Sequence, residues 1–298
     1  MTLAPIVIFC YKRLDVLKKS VESLCLNPLA KDSDLIVFSD GPKSVSDIES
    51  IRHVRDYLAE IRGFKSVTIH AREHNLGLAN SIISGVTEII KDYGKVIVVE
   101  DDLVASTNFL HFMNSALEHY ENAEKVFSIS GYTPVLSFPA DYPHDSYFTL
   151  RSCSWGWATW KNRWESINWD LDDFDDFSAE KDNIRAFNRI GSDLYGLLKK
   201  QHEGKIDSWA IRWCYYQFKK DLFCAYPRVS KIKSIGYGAG ATHTSKKLHR
   251  FSTVVDTDGA QHFSFAPAAD GLNPHITRRF SRHYGILNRL LAKIMSVV

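Results

Sequence analysis

Glu100, Asp101 and Asp102 stand side by side in residues 95–103 (KVIVVEDDL), directly after the β-branched apolar run 96–99. A run of that kind makes a buried strand, so the three carboxylates fall at a strand's carboxyl end. Three adjacent anions repel one another and resist desolvation unless a cation, backbone N–H groups or protonation offsets their charge. A hard divalent ion, bound by carboxylate oxygen and by the phosphates of a substrate, supplies such an offset. An acidic loop after a core strand is the plainer alternative.

Other polar residues follow apolar runs in the same way. Tyr11 and Arg13 come after 5–10 (PIVIFC), Asp40 after 35–39 (LIVFS), and His74 and Asn75 soon after 67–70. Trp155, Trp157 and Trp160, with Gly156 between the first two, offer flat apolar faces suited to stacking on sugar C–H groups. Aromatic clusters also build cores, and that alternative stays open.

The elements that must position these residues are legible from periodicity. Leu14, Leu17, Val21 and Leu24 recur at helical spacing after the first strand. Ser46 and Glu49 read as a capping box opening a helix with Ile51, Val54, Leu58 and Ile61 inward. Leu78, Ile82, Val86 and Ile89 mark a third helix before KVIVVEDDL. Strands and helices alternate four times over the first hundred residues, which predicts a parallel α/β sheet covered on both faces. In open sheets of this kind the ligand crevice lies beyond the carboxyl ends of the strands. Beyond 108–120, a helix, and 126–130, a strand, aromatics dominate, and 165–182 reads as an acidic loop. Strands are expected near 223–226 and 230–235, ahead of the glycine-rich 236–243.

Composition narrows the class. A chain of 298 residues with 45% hydrophobic content is globular, and a net charge of +2 argues against general nucleic-acid binding. The five cysteines are scattered, without a CxxC pair, so neither a disulfide framework nor a zinc knuckle is indicated and a reducing cytoplasm is expected. No window reaches the length of a membrane span, and the apolar start reads as a strand rather than a signal peptide. No acid follows Asp270, whereas Arg278, Arg279, Arg282, Arg289 and Lys293 are interleaved with Leu287, Leu290, Leu291 and Ile294. This basic amphipathic end either lies on an anionic membrane surface or docks its stripe on the core.

Four ordered pieces, PIVIFCYKR, FSDG, EHNLGLANSI and VVEDDL, resemble the GT-A class of nucleotide-sugar glycosyltransferases, across residues 4–245 and most strongly over the first 105. The Glu-Asp-Asp form is similar to the aspartate (DxD-like) motif of N-acetylglucosaminyltransferase I and of bacterial surface-polysaccharide transferases. The resemblance implies a GT-A (Rossmann-like), mixed and mainly parallel central sheet flanked by helices. Residues 1–125 would then bind the donor and 126–250 the acceptor, with 251–298 a basic C-terminal extension. It implies Mn2+ or Mg2+ held by Asp102 and by a late histidine, His243, for which a surface histidine is the alternative, with Glu100 and Asp101 on the donor ribose or sugar hydroxyls and on the metal's waters. Asp40 would bond the nucleotide base unless it only caps its turn. Arg13 or Tyr11 would line the base pocket, a surface ion pair being the alternative for Arg13. His74 and Asn75 would contact the donor, or Asn75 would be an N-cap. Asp207, in KIDSWAIRW, resembles the acidic-Trp stretch that supplies the base in inverting members; a helix N-cap is its rival role. Trp155, Gly156 and Trp157 would meet the acceptor.

The expected partners are a UDP-sugar and a glycan or lipid-linked acceptor. The expected place is the cytoplasm, at the inner face of the plasma membrane. A sugar-phosphate nucleotidyltransferase fits less well, because its glycine-rich phosphate loop has no counterpart in CYKRLDVL. A non-catalytic carbohydrate-binding protein is the other alternative.

Overall fold

The computed structural model describes residues 2–236, 251 and 253–295. The strands are β1 (Ile6–Cys10), β2 (Asp34–Ser39), β3 (Ser66–Ala71), β4 (Lys95–Glu100), β5 (Leu103–Ala105), β6 (Val126–Ser130), β7 (Ser146–Thr149), β8 (Trp157–Trp160), β9 (Phe223–Pro227) and β10 (Ile232–Ser234). The helices are α1 (Leu14–Cys25), α2 (Ile48–Glu60), α3 (Leu78–Tyr93), α4 (Phe109–His119), α5 (Lys161–Trp164), α6 (Phe174–Ala179), α7 (Lys181–Arg189), α8 (Leu194–His202), α9 (Trp209–Lys219), α10 (Pro274–His283) and α11 (Ile286–Met295).

Eight strands form one sheet in the order β3-β2-β1-β4-β8-β6-β9-β7, and β5 pairs with β10 in a small antiparallel ribbon. β1 to β4 are parallel, β8 runs against β4 and β6, β9 is parallel to β6, and β7 runs against β9. The sheet is therefore mixed and mainly parallel, as the alternating pattern predicts, and it crosses residue 125 without a break. After β3 the chain returns past β1 to place β4 on its other side. That reversal makes the β1/β4 junction a switch point, where a crevice opens at the strands' carboxyl ends.

Strand periodicity sorts the core. Ile6, Ile8 and Cys10 face α1, α2 and α4, whereas Val7 and Phe9 face α3 and α9. The same alternation in β8 sends Trp160 to the first face and Trp157 to the second.

Three expectations change. The capping box lies two residues earlier than read: the Asp47 carboxylate accepts from the Ser44 backbone N–H (3.1 Å) and hydroxyl (2.9 Å), while Ser46 Oγ sits beside Ser44 Oγ. The acidic stretch 165–182 is not simply a loop. Phe174 and Phe177 from α6 pack with Phe187, Leu198 and Tyr215 in a satellite core, so its aromatics decide its structure over its charge. The C-terminal extension divides: Phe263, Phe265, Ile276, Phe280 and Tyr284 join the main core, whereas α11 lies outside it.

Candidate active site

The β1/β4 switch point gathers Arg13, Asp101 and Asp102. Phe9 is in register with Glu100, so the residues just past each strand end meet across the junction. Arg13, which begins α1, directs Nη2 at both Asp101 Oδ1 and Asp102 Oδ2, the second at 2.8 Å. Asp101 is 6% exposed, and the two carboxylates share one guanidinium. With Glu100 the cluster holds three acids against one cation.

A backbone scaffold fixes the acidic turn. Ile235 N–H donates to Asp102 O (2.8 Å), and β10 pairs with β5 directly after the turn. Gly236 then lies so close to the Asp102 carboxylate that a Cβ there would collide with Oδ2. The glycine is therefore needed for approach. This is a signal the sequence carried without its target being legible.

Asp40 and its neighbours form the second part of the crevice. The buried Asp40 carboxylate accepts from Leu76 N–H (3.0 and 3.2 Å) and Gly41 N–H (3.2 Å), clamping the β2 and β3 loops together. Asn75 Nδ2 donates to Gly41 O and its Oδ1 accepts from Gly77 N–H. His74 is exposed and offers its carbonyl to Gly41 N–H. Tyr11 is half-buried, and its hydroxyl donates to Asp47 (2.8 Å) and accepts from Lys43 N–H (3.0 Å). Lys12 also pairs with Asp47 and, together with Tyr11 and Ser44, holds that carboxyl well below the usual range. Lys12 and Asp47 were missed in sequence, because only the folded loop brings them to Tyr11.

Asp207 precedes α9. That helix leads into a strand parallel to β4, so its N-terminus lies at the same carboxyl edge as the acidic turn. Ser208, rather than Asp207, caps the helix, accepting from Ile211 N–H. Asp207 is exposed, and its Oδ1 accepts from Arg212 (3.1 Å).

Among the tryptophans, Trp155 is half-buried, edge-on to Tyr132 and tilted against Phe251. Trp157 must be corrected. It is fully buried among Trp164, Trp209 and Trp213, so no face is left for an acceptor. Gly156 is corrected with it: at φ +55 it packs on Ile232 and Phe109, and admits a core ring rather than a sugar. His243 lies outside the described residues.

No protein-family model matches the chain, and no curated protein does. Among solved structures it is similar to the mannosyltransferase PcManGT from Pyrobaculum calidifontis, in complex with GDP-Man and Mn2+. That match has 10% identity and a TM-score of 0.37, and covers 53% of this chain and 44% of that one. It is also similar to S. aureus TarS 1–349, at 10% identity and a TM-score of 0.38, over 53% and 47% of the two chains. Against TarS 1–349 in complex with UDP the values are 11%, 0.34, 48% and 40%. The chain thus spans less than half the length of these structures.

The acidic cluster's electrostatics define what it would accept. Desolvation, then the charges of Asp102 and Asp101, push the Glu100 carboxyl up to about 8. Burial raises Asp101 to about 6, with Arg13 opposing and Asp102 reinforcing the shift. Such a site has uncompensated negative charge and oxygen-only donors, which suits a hard divalent cation. Among the described residues no group of three or more His, Cys, Asp or Glu is placed to hold a metal. Asp102 and Asp101 alone would supply only a minority of the ligands of such an ion.

The raised carboxyls carry a stability prediction. Both groups bind protons more tightly folded than unfolded, so the stability these two contribute is fully present below the ordinary carboxylate range and is lost as pH rises from about 4 to about 8. Urea unfolding of the unligated protein is expected to show that decline. Glu100→Gln should flatten its upper part. A midpoint that climbs through this window, or an unchanged slope in Glu100→Gln, contradicts the assignment.

Proposed function

We propose that the protein is a metal-dependent glycosyltransferase, moving a sugar from a UDP-sugar to a hydroxyl of a glycan or lipid-linked acceptor with inversion. The setting would be bacterial surface-polysaccharide or lipopolysaccharide assembly at the inner face of the plasma membrane. The observation that carries this reading is the pairing of Arg13 with Asp101 and Asp102 at the β1/β4 switch point. A crevice there suits a ligand with a charged diphosphate.

Asp102, with Asp101 beside it, would hold Mn2+ or Mg2+; when bound, the ion supplies positive charge against the diphosphate. Arg13 adds a fixed guanidinium at the same place, suited to phosphate oxygen once the carboxylates engage the cation. In the transfer, an acceptor oxygen bonds to the anomeric carbon, the bond from that carbon to the phosphate oxygen breaks, and the nucleoside diphosphate leaves. Asp207 takes the acceptor's proton, with Arg212 holding one of its oxygens in place. Asp40 and Asn75 brace the loops beside the nucleotide, and His74 projects from them.

Calorimetry with UDP tests the reading. Binding is expected with manganese and to weaken strongly without it. Binding of free sugars with no response to UDP would favour the carbohydrate-binding alternative instead. Asp207→Asn should keep UDP affinity while slowing transfer by about 10²-fold or more. Wild-type turnover in that variant would remove Asp207 from the role.

A further inference from the structure

Helix α11 is turned the opposite way from a helix that docks on a core. Ile286, Leu287, Leu290 and Leu291 are 63%, 73%, 52% and 57% exposed. At about 100° per residue these four positions occupy one continuous arc of the helix. No other stretch of six described residues exposes as many large apolar side chains. Of the polar positions, Arg289 is half-buried and turned toward the protein, while Asn288 stays exposed. Arg289 Nη1 donates to Ser192 Oγ (3.1 Å), and Asn288 Nδ2 donates to Arg282 O (3.0 Å).

The platform beneath is well held. α10 buries Ile276 and Phe280, and Tyr284 follows it into the core, where the Arg151 guanidinium stacks 4.3 Å from its ring. Ser192 donates its hydroxyl and backbone N–H to Tyr284 O. Arg278 and Arg282 of α10 remain exposed. From residue 271 onward the chain has five Lys and Arg and no Asp or Glu.

We propose that α11 is a surface anchor for membranes rich in anionic lipid. It lies flat, with its four exposed apolar side chains at the acyl boundary and the exposed Arg278 and Arg282 of α10 among the headgroups. Charge decides the occupant. A second copy on this face would bring another cation-only segment against the first, whereas anionic headgroups complement it. No helix among the described residues is long and apolar enough to span a membrane. The anchor does not rest on the transferase reading.

Co-sedimentation of the full chain with vesicles tests it, comparing phosphatidylcholine alone with phosphatidylcholine containing phosphatidylglycerol. Binding should be at least about tenfold stronger to the anionic vesicles and should weaken with salt. Leu287→Ser with Leu291→Ser should reduce it about tenfold or more, with the unfolding midpoint unchanged. Arg278→Ser and Arg282→Ser should each reduce it about fivefold. Equal binding to both vesicle types, or binding to neither, overturns the proposal. So does a dimer in solution that the double serine variant dissolves, or capture by an acidic protein that leaves the vesicles unbound.

Discussion

Asp102→Asn is expected to lower sugar transfer by about 10³-fold or more and to abolish the manganese dependence of UDP binding. The unfolding midpoint should change little. Asparagine keeps the shape and can still accept from Arg13, so the variant removes charge while retaining the packing of the turn. Asp102 is also the carboxylate against which Gly236 rests. That contact provides a second, geometric probe. In Gly236→Ala the new methyl meets only side-chain atoms of Asp102, Oδ2, Cγ and Cβ, and no backbone, so the whole carboxylate must be displaced. A misplacement of about an ångström at a reacting centre costs about 10²-fold, and Gly236→Ala should lower turnover by that order with all charges intact. Wild-type turnover in Asp102→Asn sinks the assignment outright. Loss in Asp102→Asn with full activity in Gly236→Ala would mean that charge at this position matters and its placement does not.

The parts of this site that could be read in sequence are those set by a single strand and its end. Val96 to Val99 have no plausible state but a buried strand, and β1 and β2 are apolar in the same way, so the polar residues after each run had to share one edge. What could not be read depends on which residues meet across loops. In sequence Arg13 reads as a base-pocket residue or a surface ion pair, because nothing local shows that β4 lies beside β1 with Phe9 opposite Glu100. Tyr11 reads as a base-pocket residue, and its hydroxyl donates to Asp47, some way along the chain. The Trp155–Trp160 run was the hardest. A motif of three tryptophans reads equally as a sugar platform or as core, and the choice turns on strand parity: β8 begins at Trp157, which points inward, while Trp155 lies before the strand and keeps some exposure.

That parity has a large expected consequence for Trp157→Ala. Trp157 is fully buried, with ring centroids of Trp213, Trp209 and Trp164 at 4.4, 5.1 and 5.6 Å. Removing a buried tryptophan leaves a cavity that the neighbouring rings cannot fill, and should cost about 3–5 kcal/mol in urea unfolding. The indole Nε1 has no hydrogen-bond partner among the described residues, so the loss is one of packing and not of a polar contact. Trp157→Phe, which refills much of the space, should therefore cost clearly less. The two variants also bear on the site. Trp209 and Trp213 belong to α9, so the helix preceded by Asp207 rests on Trp157. Transfer in Trp157→Phe should then stay near wild type if the ring is core, because the helix keeps its seat. A stable Trp157→Ala protein whose acceptor KM alone rises would reverse this, and would return Trp157 to the acceptor surface against the burial in the structure.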